Sequence, residues 1–140
     1  MLAATYRFSV YNNIGAAQAS LASGSVILEG KLWKFNSSGA LTHSSETTFF
    51  DITAGTWNNQ TYQNGTTIDN TSDLYLGGHF NFRAEPDGSA GTTNRTGSFD
   101  VFLEFSEDGG TTWTLDGEGT PMCSLSWSAS HEQKSAQFEL

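Results

Sequence analysis

Apolar and polar positions alternate with a period of two through most of the chain, the signature of half-buried β-strands. In "SFDVFLEF", Phe99, Val101, Leu103 and Phe105 share one face, and Ser98, Asp100 and Glu104 share the other. Phe102 interrupts the polar face and is expected to cover a neighbouring surface. "TYRFSV" sends Tyr6, Phe8 and Val10 inward with Arg7 and Ser9 outward. "HFNFRA" places Phe80 and Phe82 opposite His79, Asn81 and Arg83, and "SAQFEL" puts Ala136, Phe138 and Leu140 together. In "PMCSLSWS", Cys123, Leu125 and Trp127 fall on one face, which reads Cys123 as a small buried hydrophobe.

The alternation predicts about eight strands, near residues 5–11, 25–35, 46–53, 60–68, 73–84, 97–106, 121–128 and 134–140. Turn-rich stretches separate them: "NSSGA" (36–40), "NNQ" (58–60), "PDGSAGTTNRTG" (86–97) and "LDGEGTP" (115–121). Only "IGAAQASLASG" (14–24) carries helix formers, and it reads equally as a loop or a swapped arm. With long, unequal connections and no βαβ rhythm, the expected fold is all-β: an antiparallel β-sandwich, jelly-roll-like. A Cys…Trp…Cys spacing is missing, which turns the choice away from an immunoglobulin-like sandwich. One domain is expected across 1–140, with 1–24 as an arm or a loop-rich segment.

Composition narrows the function classes. The charge is −9 with six Lys and Arg in 140 residues, so the clustered cations that face phosphates are missing. Lys31 with Lys34 is the nearest approach to a cluster. Neither nucleic acid nor an anionic membrane is expected as a partner. A single cysteine leaves no internal disulfide and no cysteine-based zinc site. No apolar run approaches the ~20 residues of a membrane span. "MLAATYRFSVYNN" shows neither the basic nor the apolar region of a secretory signal, so synthesis in a host cytoplasm is expected. The sequons at Asn36, Asn59, Asn64, Asn70 and Asn94 then reflect richness in Asn, Ser and Thr.

"SEDGGTTW" fits Ser-x-Asp-x-Gly-x-Thr-Trp, the Asp-box signature of sialidase-type propellers. A propeller needs roughly 40–50 residues per blade, and no second box or internal repeat is present. The motif is therefore expected to be a self-stabilised hairpin tip. Asp108 accepts backbone N–H groups, Gly109 and Gly110 turn the chain, Thr112 starts the returning strand, and Trp113 folds onto the base. Ser106, Asp108, Gly110, Thr112 and Trp113 are its structural residues.

Other chemistry-bearing patterns read as structure first. Glycosidases hold two carboxylates about 5–9.5 Å apart. Asp100 and Glu104 are about 13 Å apart along one strand face, and Asp116 with Glu118 sits in a Gly-rich loop. His43, His79 and His131 lack a partner at metal-ligand spacing. "IDNTSD" (Asp69, Asn70, Asp73) and "EPDGS" (Glu85, Asp87) have oxygen ligands for calcium without the spacing of a calcium loop, and turn formation accounts better for both. No catalytic residue, cofactor or metal is expected. Among the aromatics, Trp113 and Trp127 are committed to hairpin and core, which leaves Trp33 and Trp57 as possible contact aromatics. If both were exposed together they would form a sugar-stacking platform; buried, or at a subunit interface, they point to a structural protein.

"GTWNNQTYQNGTTIDNTSDLYLGGHFNF" followed by "GSFDVFLEFSEDGGTTWTLDGEGTP" resembles small virion proteins of tailed bacteriophages. A Trp-containing strand, an "IDNTSDLYL"-like segment and a "LE-SxDGGxTW" hairpin recur together in them, and "KSAQFEL" resembles their closing strand. The likeness covers about residues 55–140. It implies a capsid decoration (cement) protein, a homotrimer that bridges subunits of the major capsid protein in the virion. The alternative is a tail or baseplate component, or a glycan-binding adhesin module.

Overall fold

The computed structural model describes residues 3–87 and 96–140, and at 19, 20, 117 and 118 the backbone alone. The alternating segments become strands: β1 (Thr5–Asn13), β3 (Val26–Phe35), β5 (Thr47–Asp51), β9 (Gly77–Ala84), β10 (Thr96–Ser106), β12 (Cys123–Ser128) and β13 (Lys134–Glu139). Shorter strands fill the connections: β2 (Gln18–Leu21), β4 (Leu41–His43), β6 (Gly55–Trp57), β7 (Thr61–Asn64), β8 (Ile68–Asp69) and β11 (Thr114–Leu115). One 3-10 turn, Asp116–Gly119, is the helical element among the described residues.

Two antiparallel sheets form the body, as the pattern predicts. In the first sheet, β1 and β10 lie at the centre, β7 and β8 border β1, and β11 and β12 border β10. In the second, β9 and β3 lie at the centre, β13 borders β9, and β4 and β5 border β3. A small β2–β6 ribbon stands apart. If strands sharing an edge are merged, each sheet is four ribbons wide. Counted around the chain as a closed ring, each sheet then holds one sequence-adjacent pair and two pairs three ribbons apart. That is the pairing rule of a jelly roll, with the chain ends at a different connection.

The inward faces meet in an aromatic core. Phe8 of the first sheet lies 4.9 Å from Phe80 of the second and 5.6 Å from Phe49, each edge to face. Phe80 stacks on Phe138 at 5.2 Å, and Trp57 stacks on Phe99 at 5.1 Å. Each such ring withdrawn from water contributes roughly 1.5–3 kcal/mol before packing geometry is counted.

Three segments depart from the sequence expectation. Residues 14–24 fold back onto their own domain: Ile14, Gln18 and Leu21 are buried, and β2 pairs with β6. The reason is a polar anchor, because Asn12 Nδ2 donates to the Trp57 and Asn58 carbonyls, both at 3.1 Å. Gln18 Oε1 also accepts from the Asp87 backbone N–H at 2.8 Å. The single strand expected near 60–68 is broken into β7 and β8. The strand expected from residue 73 begins at Gly77, because Asn70 holds the preceding residues in a turn. The expected turn at 86–97, with Asn94, lies largely outside the described residues.

Candidate functional site

The Asp-box hairpin is closed by its own side chains. Ser106 Oγ donates to Asp108 Oδ1 and accepts the Gly110 N–H, both at 2.7 Å. Asp108 accepts the N–H groups of Thr111 (3.0 Å) and Thr112 (2.8 Å) and the Thr112 hydroxyl (2.8 Å). Gly109 and Gly110 take positive φ, 73° and 100°, which an L side chain rarely adopts. Trp113 Nε1 closes the tip on the Gly110 carbonyl at 3.1 Å. Thr112 backbone and Ser106 hydroxyl bonds hold the Asp108 carboxyl well below the usual carboxylate range. An anion this well satisfied is a poor general acid or base, so the motif's chemistry is local fastening.

The hairpin also covers the outer face of the first sheet. Trp113 carries the Arg7 guanidinium over its ring at 4.1 Å. Arg7 Nε bonds Glu104 Oε2 at 2.6 Å, and the Ser9 hydroxyl donates to the same oxygen. Asp100 takes Ser98 (3.0 Å) and Ser124 (2.7 Å). Asp100 and Glu104 are thus engaged separately and form no acid pair. Phe102 lies on this face as well, buried beneath Tyr62 with ring centroids 5.6 Å apart.

The remaining sequence candidates sort as follows. Trp57 is 2% exposed and its Nε1 donates to the Thr61 carbonyl, so it is a core residue and not a contact aromatic. Trp33 is partly exposed on the outer face of the second sheet, and the two share no platform. Asn70 is buried and organises the turn around it. Its Oδ1 accepts the Tyr75 N–H (2.8 Å) and its Nδ2 donates to the Tyr75 carbonyl (3.0 Å). Asp69 closes on Thr71, whose hydroxyl lowers the carboxyl's proton affinity, and Asp73 bonds Lys34. Asp87 is buried, whereas Glu85 and Asp116 are exposed. The side chain of Glu118 lies outside the described residues. No group of three His, Cys, Asp or Glu among the described residues is arranged to hold a metal. His131 is exposed, and Cys123 is half-buried, its thiol pushed up by burial and then by Asp100.

Two features escape one-sequence reasoning. The first is a shallow groove of about 620 Å³ on the outer face of the second sheet. Strand register builds it in rows: Glu29 beside Asn81 beside Gln137, then Lys31 beside His79 beside Glu139. His79 Nδ1 lies 2.9 Å from Glu139 Oε1, and its ring lies 5.9 Å from that of His43. Trp33, Phe35, Leu41 and Leu140 border an adjoining apolar hollow of about 380 Å³. Alternation marks His79 and Asn81 as outward, but only pairing of β3, β9 and β13 gathers them with Glu29, Lys31 and Trp33. The second feature is a cavity of about 390 Å³ between the sheets, lined chiefly by Tyr6, Leu76, Leu103, Phe105 and Leu140. The Tyr6 hydroxyl is buried without a hydrogen-bond partner among the described residues. Burial, then Tyr75, pushes its phenol well above the ordinary range.

Fold and faces together define an all-β sandwich with one internally fastened outer face and one open one. No family model, curated protein or solved structure matches the chain.

Proposed function

We propose that the protein is a non-enzymatic capsid decoration protein, which stabilises a phage head by bridging major capsid subunits as a trimer. One observation carries the reading beyond the sequence resemblance. Large apolar side chains stand exposed at one end of the sandwich: Phe35 (56%), Leu41 (51%) and Leu74 (65%). Phe35 faces Leu41 across the β3–β4 pair, and the bond from Lys34 Nζ to the Asp73 carbonyl (2.8 Å) brings the Leu74 turn alongside. Leu74 is also held at φ 54°, a left-handed conformation that costs a leucine of order 1–3 kcal/mol. Exposed apolar groups on a strained turn suit a protein contact.

The mechanism is mass action: a protein that binds only the assembled shell stabilises that shell. The acidic chain, charge −9, avoids the nucleic acid packaged nearby. No catalytic role is assigned, because the carboxylates on the outer face of the first sheet are committed to separate partners. The test is co-sedimentation with capsids that lack the protein, followed by particle imaging, using wild type and Phe35→Ser/Leu74→Ser. Density at three-fold positions, lost in the double variant, is the expected result. Density on the tail instead supports the tail or baseplate alternative, and binding unaffected by the double variant removes the apolar end from the account.

A further inference from the structure

We propose that the outer face of the second sheet is a binding site for an uncharged oligosaccharide, with the Trp33 indole as its stacking platform. Four of the groove's polar side chains are open. Glu29, Lys31, Asn81 and Gln137 make no side-chain hydrogen bond among the described residues, although they line one hollow of about 620 Å³. Their spacing is fixed by the sheet: two residues along a strand is about 6.6 Å and one strand across about 4.8 Å. Carboxylate, amide and ammonium groups on such a grid alternate acceptors with donors, the complement of a row of hydroxyls that each donate and accept.

The aromatic part is placed for stacking. Trp33 is followed across the β3–β9 pair by Gly77, and a Cβ there would come to 2.7 Å from Trp33 Cζ2. The glycine leaves the indole room to lie across β9, and Phe35 supports it edge-on at 6.3 Å and 74°. A pyranose ring has an apolar C–H face and a hydroxyl rim. The face suits the partly exposed indole, and the rim reaches the polar rows beyond.

The charge of the groove selects within this class. Glu29, Glu46 and Glu139 outnumber Lys31, with His43 and His79 beside them. An anionic polysaccharide or a nucleic acid meets net repulsion on a chain of charge −9. An apolar protein partner would strand the open carboxylates and amides without hydrogen bonds, which is costly. A neutral, hydroxyl-rich ligand meets neither penalty. The apolar end meets this site at Phe35 and Leu41, but sugar binding does not rest on capsid attachment.

The experiment is a glycan array probed with the full chain, carrying neutral gluco-, galacto-, manno- and N-acetylglucosamine oligosaccharides beside sialylated and sulfated ones. Calorimetry on the best neutral binder then measures Trp33→Ala, Asn81→Ala and Gln137→Ala, each checked by circular dichroism and melting. Expected are binding to neutral chains, affinity at least about tenfold weaker in Trp33→Ala, and about three- to tenfold weaker in each amide variant. Tyr62→Ala, on the opposite face, keeps wild-type affinity. Preference for anionic glycans, no neutral binding at millimolar concentration, or full affinity in folded Trp33→Ala each overturns the proposal. No capsid enters this experiment, so its failure and that of the decoration reading are distinguishable.

Discussion

The two outer faces of the sandwich are built from the same kinds of residues and used in opposite ways. On the first sheet, Arg7 and Ser9 both donate to Glu104, Asp100 takes two serines, and Trp113 lies against the Arg7 guanidinium. On the second, Glu29, Lys31, Asn81 and Gln137 line a groove without side-chain partners among the described residues, and Trp33 stands partly exposed at its edge. A polar group bonded to its neighbours has surrendered rotamer freedom for stability. One left to water remains available to a ligand. The contrast separates a face that holds the fold from a face that can hold something else.

The shared core sets the upper bound for every test of that contrast. Trp57, stacked on Phe99 and 2% exposed, belongs to neither face. Trp57→Ala is expected to cost about 3–5 kcal/mol, read as a lower denaturant midpoint with unchanged m-value. Trp33→Ala is expected to cost clearly less, because part of its ring is already exposed to water. Equal losses would make Trp33 a structural residue and dissolve the distinction between the faces.

Next in size is the fastened face itself. Arg7 and Glu104 are only 17% and 14% exposed at their side chains, so removing Glu104 leaves a guanidinium and the Ser9 hydroxyl short of partners. Glu104→Ala should cost about 1–3 kcal/mol, and Arg7→Ala with Glu104→Ala should cost less than the sum of the two. Glu29→Ala, the corresponding carboxylate on the open face, should stay within about 0.5 kcal/mol. Denaturation midpoints of the four variants decide it; additivity on the first sheet would show that its network carries no coupling.

How much of this was legible in the sequence follows from what alternation encodes. Period two names the face of each residue within a strand, so Phe8, Phe80, Phe99 and Trp127 are readable as core. It assigned His79 and Asn81 to outward positions, where the structure has them. It does not encode which strands pair, so the meeting of β3, β9 and β13 at the groove was invisible. The Asp box was readable because its bonds are local, all within Ser106–Trp113. Trp57 misled because "GTWNNQ" borders a turn, and turns are normally exposed. Its burial depends on Asn12, 45 residues away in sequence, which ties the loop to β1.

A smaller effect distinguishes the faces by pH. Asp108 is ionised in the folded hairpin to lower pH than in the unfolded chain, because Thr112 and Ser106 bond the anion. Its contribution is therefore complete above the unfolded aspartate value of about 4 and is lost as pH falls through the lower folded value. Wild-type stability should fall across that acid window, and Asp108→Asn should fall less steeply, with parallel profiles above about pH 5. Melting at fixed ionic strength reads the slopes. Identical slopes would show that the hairpin bonds persist in the unfolded chain or contribute nothing.

The smallest expected effect is the most pointed one. Asn81 and Gln137 are cross-strand neighbours on the open face, and neither side chain bonds the protein among the described residues. Truncating them removes groups that face water in both folded and unfolded states, so each alanine variant should change stability by less than about 0.5 kcal/mol. Their combination should be additive, because no bond couples the pair. A loss above about 1 kcal/mol in either would mean that the residue fastens the sheet, as Glu104 does, and that the open face is structural too. Stability unchanged beside weakened sugar binding is the outcome that makes the two faces different in kind, since a residue that contributes nothing to the fold is then held in place for its ligand.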